Sequence, residues 1–198
     1  MDTDDSLKKY REKRDFRKTS EPQGEKEKSS VEPMFVIQKH DASRLHYDFR
    51  LEVDGVLKSW AVPKGVSTDP RERRLAVPTE DHPLEYGDFE GVIPEGEYGA
   101  GTVLVWDTGP YRNLRGEKTG HGASMKKSLE DGKVEVWLEG KKVRGGYALI
   151  RTGDDRWLLI KKKDEAADAG RNPTRTEAKS VLSGRTLEEI ASEESGKE

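Results

Sequence analysis

Apolar and polar residues alternate without a break through the most regular stretch of the chain. Leu45, Tyr47, Phe49, Leu51 and Val53 take every second position, and His46, Asp48, Arg50 and Glu52 fill the gaps. A period of two marks a half-buried strand, because successive side chains of a pleated backbone point to opposite faces. Other runs rich in β-branched and aromatic residues predict strands at 34–39, 44–53, 56–62, 102–106, 133–138, 145–152 and 156–162. Asp54-Gly55 joins two of these runs as a two-residue hairpin, and Gly153-Asp154-Asp155 marks a second turn. Helical composition is confined to residues 123–130, stopped by Asp131-Gly132, and to 187–191, which is expected outside the core. Many short strands and few helices predict a mainly β fold: a compact, closed antiparallel β-barrel with one or two short flanking helices. Closure also removes the exposed sheet edges that invite aggregation.

Composition changes the picture at the two ends. Hydrophobic residues make up 31% of the 198 positions and charged residues 38%, too apolar-poor a mixture for every segment to share one core. The reading is a polar, partly ordered N-terminal segment over 1–30, a barrel domain over 31–165 and a flexible acidic tail over 166–198. The absence of cysteine excludes disulfides, thiolate catalysis and Cys-ligated metal centres. No apolar run is long enough for a signal peptide or a membrane span, so a cytoplasmic protein with no membrane partner is expected. A net charge of −3 leaves any nucleic-acid affinity to local clusters, of which Lys64, Arg71, Arg73 and Arg74 form the densest in the predicted core.

Candidate chemistry concentrates on the polar face of the 44–53 strand. A strand face bearing His46, Asp48 and Arg50 could simply be solvated, its charges pairing with one another. Histidine occurs only four times, however, and His40 and His46 stand at the end of one predicted strand and the start of the next. If those strands pair, two imidazoles and the Asp48 carboxylate converge on one ion, a donor set suited to manganese, zinc or iron(II). Arg50, two residues further on, could grip a phosphate oxygen through its guanidinium fork, which points to a phosphoester substrate. His82 and Tyr86 follow in a turn-rich segment, His82 as phosphate contact or acid catalyst and Tyr86 as an orienting group. The glycine-rich loop 91–101 lacks the Lys-Ser/Thr ending of a nucleotide-binding loop and carries two Glu, so a structural turn is expected there. His121 lies among glycines and has no partners that recommend it as a ligand.

These residues resemble the 3′-phosphoesterase domain of bacterial DNA ligase D, which also exists as stand-alone archaeal and bacterial proteins. The stretches FVIQKHDASRLHYDFRLEVDGVLKSWAVPKG, DHPLEYGDFEGVIPEGEYGAGTVLVWD and WLLIKKKDE carry the resemblance, and YREKRDFRKTSEP is similar to the family's leading segment. It covers residues 8–165. The resemblance implies a β-barrel, manganese dependence and two activities at a nucleic-acid 3′ end, removal of a terminal ribonucleoside and then of the 3′-phosphate, leaving a 3′-hydroxyl. It assigns His40, His46 and Asp48 to the metal, and Arg50, His82 and Tyr86 to phosphate contact and catalysis. It adds Gln38, Lys64, Arg74 and Glu80 as auxiliary substrate-binding residues, with Arg14 and Asp15 from the N-terminal segment. Partners implied are DNA or RNA-DNA primer-template 3′ ends and a separate DNA ligase, polymerase or end-binding protein, with the chain itself a monomer. Two rival readings remain open: an iron(II) oxygenase using His46, Asp48 and His82, and a non-catalytic nucleic-acid-binding repair module on the same barrel.

Overall fold

The alternating runs do form strands, and the computed structural model describes residues 3–24, 31–118 and 124–196. In chain order they are β1 (Met34–Asp41), β2 (Leu45–Val53), β3 (Val56–Val62), β4 (Arg73–Pro83), β5 (Gly91–Ile93), β6 (Gly101–Asn113), β7 (Lys133–Glu139), β8 (Arg144–Gly153) and β9 (Arg156–Lys161). Neighbours pair antiparallel in the order β1-β2-β3-β4-β9-β8-β7-β6, and β6 returns to β1. Eight strands therefore close into the expected barrel, with β5 added along β6. The β2–β3 hairpin turns through Asp54 and Gly55, both at positive φ (50° and 83°), the conformation a two-residue turn needs to match strand twist.

The two longest strands make closure possible. β4 pairs with β9 through residues 73–76 and with β3 beyond that, while β6 pairs with β1 through residue 110 and with β7 from Tyr111. β4 and β5 were not foreseen as strands. In β4 the dense charge and Pro78 hide the pattern, and Pro78 is tolerated because it lies where β4 has left β9 and keeps a single neighbour. His82 consequently sits on a strand, not in the expected turn-rich segment. Tyr86 follows in a short 3-10 turn, Leu84–Asp88.

Inward-facing residues fill the barrel. Phe35 and Ile37 of β1, Tyr47, Phe49 and Leu51 of β2, Trp60 of β3, Trp106 of β6 and Tyr147 of β8 all join one buried cluster. Packed interiors of this kind leave no channel. A second cluster lies on the outer wall, where Tyr10, Leu57, Tyr86, Phe89, Ile93 and Val103 meet. It binds the N-terminal segment, with its short helices α1 (Thr3–Ser6) and α2 (Lys8–Glu12), onto the barrel, and Tyr10 is fully buried there.

Helices α3 (Leu114–Lys118) and α4 (Met125–Asp131) separate β6 from β7. α4 is capped by Ser124, which accepts from the Lys127 amide, and by Gly132 in the left-handed conformation. Position 123, the expected start of that helix, and His121 lie outside the described residues.

Residues after 166 depart most from expectation. α5 (Pro173–Thr176) and α6 (Leu187–Ser195) pack on the barrel, and Leu187 and Ile190 enter the main core. Trp106 Nε1 donates to the Glu177 carbonyl at 2.7 Å, and the Val181 amide donates to Val105. The polar composition of this stretch suggested a loose tail, but two apolar residues three apart and a Thr186–Glu189 capping box suffice to fix a helix to the wall. No described helix is long and apolar enough to cross a membrane.

Candidate active site

Strand register assembles the site on the outside of the barrel. With Tyr47, Phe49 and Leu51 turned inward, His46, Asp48 and Arg50 stand on the outer wall of β2. β1 pairs so that His40 lies opposite His46 and Gln38 opposite Asp48, the arrangement in which side chains of neighbouring strands meet. His40 Nδ1 and His46 Nε2 approach Asp48 Oδ2 at 3.5 and 3.4 Å, and one ligand atom from each of the three residues lies within 4.8 Å of the others.

The remaining ring nitrogens are occupied. His40 Nε2 donates to the Gly99 carbonyl at 2.7 Å and His46 Nδ1 donates to the Arg44 carbonyl at 3.0 Å, so each ring is held with its other nitrogen toward Asp48. Such outer bonds fix the orientation of metal-binding imidazoles. Burial would push the Asp48 carboxyl up, but the Arg50 charge and the two imidazoles overcome it and hold it well below the usual carboxylate range. Burial would lower His46; its hydrogen bond to Asp48 and that residue's charge outweigh this and raise it. An ionised carboxylate flanked by two oriented imidazoles fits a divalent transition ion, which on binding would displace protons from the rings.

Beside this triad, the guanidinium groups of Arg50 and Arg14 line the same cavity. Arg50 is 3% exposed; its Nε donates to Gln38 Oε1 and its Nη1 to Ser59 Oγ, both at 2.8 Å, leaving Nη2 3.6 Å from Asp48. The Gln38 amide donates in turn to the carbonyls of Tyr86 and Phe89, so Gln38 acts by aiming Arg50. His82 Nδ1 donates to the Glu80 carbonyl at 2.9 Å, and Arg14 Nη2 donates to its Nε2 at 3.4 Å. Burial, reinforced by Arg50 and Arg14, holds the His82 pKa well below that of a free imidazole. Burial and the Glu21 charge push the Tyr86 hydroxyl well above its ordinary value. Arg14 bridges Glu21 at 3.0 Å and Glu80 at 3.2 Å.

A family model described as the DNA ligase D 3′-phosphoesterase domain matches residues 38–151. The chain belongs to this family. Relatives include the multifunctional non-homologous end joining protein LigD of Pseudomonas aeruginosa, 49% identical over 195 residues that cover 94% of this chain and 22% of the relative. The LigD end-joining DNA repair protein of Mycobacterium tuberculosis is 49% identical over 162 residues, 81% of this chain and 20% of the relative. The chain thus spans about a fifth of the length of these curated relatives.

Within this ligase D phosphoesterase fold, His40, His46, Asp48, Arg50, His82, Tyr86, Arg14 and Glu80 line one cavity, and Gln38 lies behind Arg50. Asp15, Lys64 and Arg74 do not line it. Asp15 pairs with Arg17 at 2.9 Å, Arg74 pairs with Glu72, and Lys64 is exposed and offers its carbonyl to Arg74. The oxygenase triad of His46, Asp48 and His82 is not formed: the three-ligand group among the described residues takes His40 as its second imidazole. Sequence reasoning missed Glu21, which is 3% exposed and accepts from Arg14, Tyr86 and Thr19. Its segment is as polar as a tail, and the signal available was its place in the YREKRDFRKTSEP stretch. Tyr98 and Gly99, also missed, come from the loop read as purely structural.

Proposed function

We propose that the chain is a manganese-dependent phosphoesterase that heals 3′ ends of nucleic acid. It removes a terminal ribonucleoside by phosphodiester cleavage and then the remaining 3′-phosphate, leaving a 3′-hydroxyl. The observation that carries this reading is the convergence of His40, His46 and Asp48 beside the Arg50 guanidinium. His40, His46 and Asp48 would hold the ion. Bound there, manganese supplies neutralisation of phosphoryl charge and a more acidic water.

The chain's own groups do the rest. Arg50, already braced by Gln38 and Ser59, presents its remaining N–H groups to a phosphoryl oxygen without paying to order a long side chain. His82 in the free protein offers phosphate only an acceptor at Nε2. An arriving phosphate therefore favours a proton at that atom, which is then in place for the leaving oxygen. Glu80 and Glu21 hold the Arg14 guanidinium in the cavity wall, where its charge meets a substrate phosphate. Asp15, Lys64 and Arg74, outside the cavity lining, would touch the strand further from the cleaved bond. The protein works as a cytoplasmic monomer, and the healed ends pass to a ligase or polymerase.

The deciding assay incubates primer-templates ending in a 3′-phosphate or a single 3′-ribonucleotide with the protein, with manganese and with chelator. The reading expects a 3′-hydroxyl product only with manganese. Intact primers after long incubation with manganese would leave the non-catalytic module as the better account.

A further inference from the structure

The catalytic groups account for the phosphate but not for the nucleoside attached to it. Of the five exposed large apolar side chains among the described residues, Tyr98 is the aromatic one, and it lines the cavity that holds the three ligands. The residue stays 47% exposed although its side chain is anchored on several sides. Lys13 Nζ donates to its hydroxyl at 3.3 Å, and the Lys13 and Arg14 cations lie 4.6 and 5.4 Å from the ring centroid. Its loop is pinned by hydrogen bonds from the Glu97 amide to the Pro94 carbonyl and from the Ala100 amide to the Glu97 carbonyl, and by the Lys18–Glu97 ion pair. The next residue, Gly99, holds His40 through its carbonyl, which places the ring one residue from a metal ligand's support.

An immobilised, half-exposed aromatic ring beside two cations is the combination that binds single-stranded nucleic acid, where bases stack and cations hold the backbone. We propose that Tyr98 is a stacking platform for a nucleobase flanking the cleaved phosphate, an inference that rests on the 3′-end reading above. It makes Tyr98 a positioning residue that acts through substrate binding, with no part in the bond changes.

The test compares Tyr98→Ala and Tyr98→Phe with the unaltered protein on the 3′-ribonucleotide primer. It also uses two primers lacking a base, one at the terminal and one at the penultimate position. Tyr98→Ala should raise KM roughly 10-fold with kcat nearly unchanged, and Tyr98→Phe, which keeps the ring, should restore most of the loss. On one of the two abasic primers the penalty should vanish, and that primer identifies the stacked base. An unchanged KM in Tyr98→Ala, an equal penalty on all three primers, or a Phe variant as weak as Ala would overturn the proposal. Absence of turnover by the unaltered protein would instead condemn the reaction assignment.

Discussion

The Tyr86 hydroxyl donates a 2.8 Å hydrogen bond to Glu21, which lies 65 residues earlier in the chain, and both residues are buried. Through this bond the N-terminal segment becomes part of the site, since Glu21 also takes the Arg14 guanidinium. Glu21→Ala would leave Arg14 buried and Tyr86 without its acceptor. Breaking a buried pair from one side costs about 3 to 5 kcal/mol. Urea unfolding should show a loss of that order, with Glu21→Gln losing less; a change under about 1 kcal/mol would mean the segment is only loosely attached.

His46→Ala removes one of three donors while leaving the inward face of β2 intact. The variant should fold normally, bind manganese at least about 10-fold more weakly in a calorimetric titration and lose turnover of both primer types. Unaltered manganese affinity would show that the ion, if any, is held elsewhere.

Arg50→Lys keeps the charge but not the fork. A lysine ammonium cannot serve Gln38, Ser59 and a phosphoryl oxygen in one plane, so the variant should remain folded at assay temperature while kcat falls on the order of 100-fold. Rates like those of the unaltered protein would contradict a bidentate role.

His82 gives a sign for the acid side of the stability profile. Its folded pKa is well below that of the unfolded residue, so below about pH 6.5 the unfolded chain takes up a proton that the folded one refuses. Stability is therefore highest above that pH and falls as pH drops toward the folded value, by up to about 1.4 kcal/mol per unit from this group. Urea melts in chelator at pH 7 and pH 5 should show a smaller difference for His82→Gln; equal differences would mean the imidazole protonates freely in the fold.

Deleting residues 181–198 would remove α6 and uncover apolar surface against β6. Leu187 and Ile190 are 7% and 0% exposed, and burying each contributes about 1.5 to 3 kcal/mol. A clear drop in melting temperature follows, and Ile190→Asp should reproduce it in the full chain. An unchanged melt would restore the picture of a free tail.

The barrel and the triad were legible in the sequence for the same reason. A strict period of two announces both a buried face and what is carried on the other, and the β1–β2 turn is short enough to bring His40 against His46. Two kinds of feature were hidden. β4 changes neighbours along its length, so no single alternation describes it, and its prolines read as turns. Tyr10, Glu21 and Ile190 sit in segments whose average polarity conceals a few decisive contacts, because a segment docked on a finished barrel needs only scattered anchors. Lys64 and Arg74 illustrate the converse: a dense basic run, conspicuous in sequence, need not enter a cavity.

The candidate site stands on the barrel's convex wall, while its lumen is filled with aromatic and aliphatic side chains. On the proposed function, a polymer end is presented sideways, without threading, however much duplex trails behind it. The same separation frees the surface to change its chemistry by single substitutions while the hydrophobic interior, which alone must satisfy close packing, stays as it is.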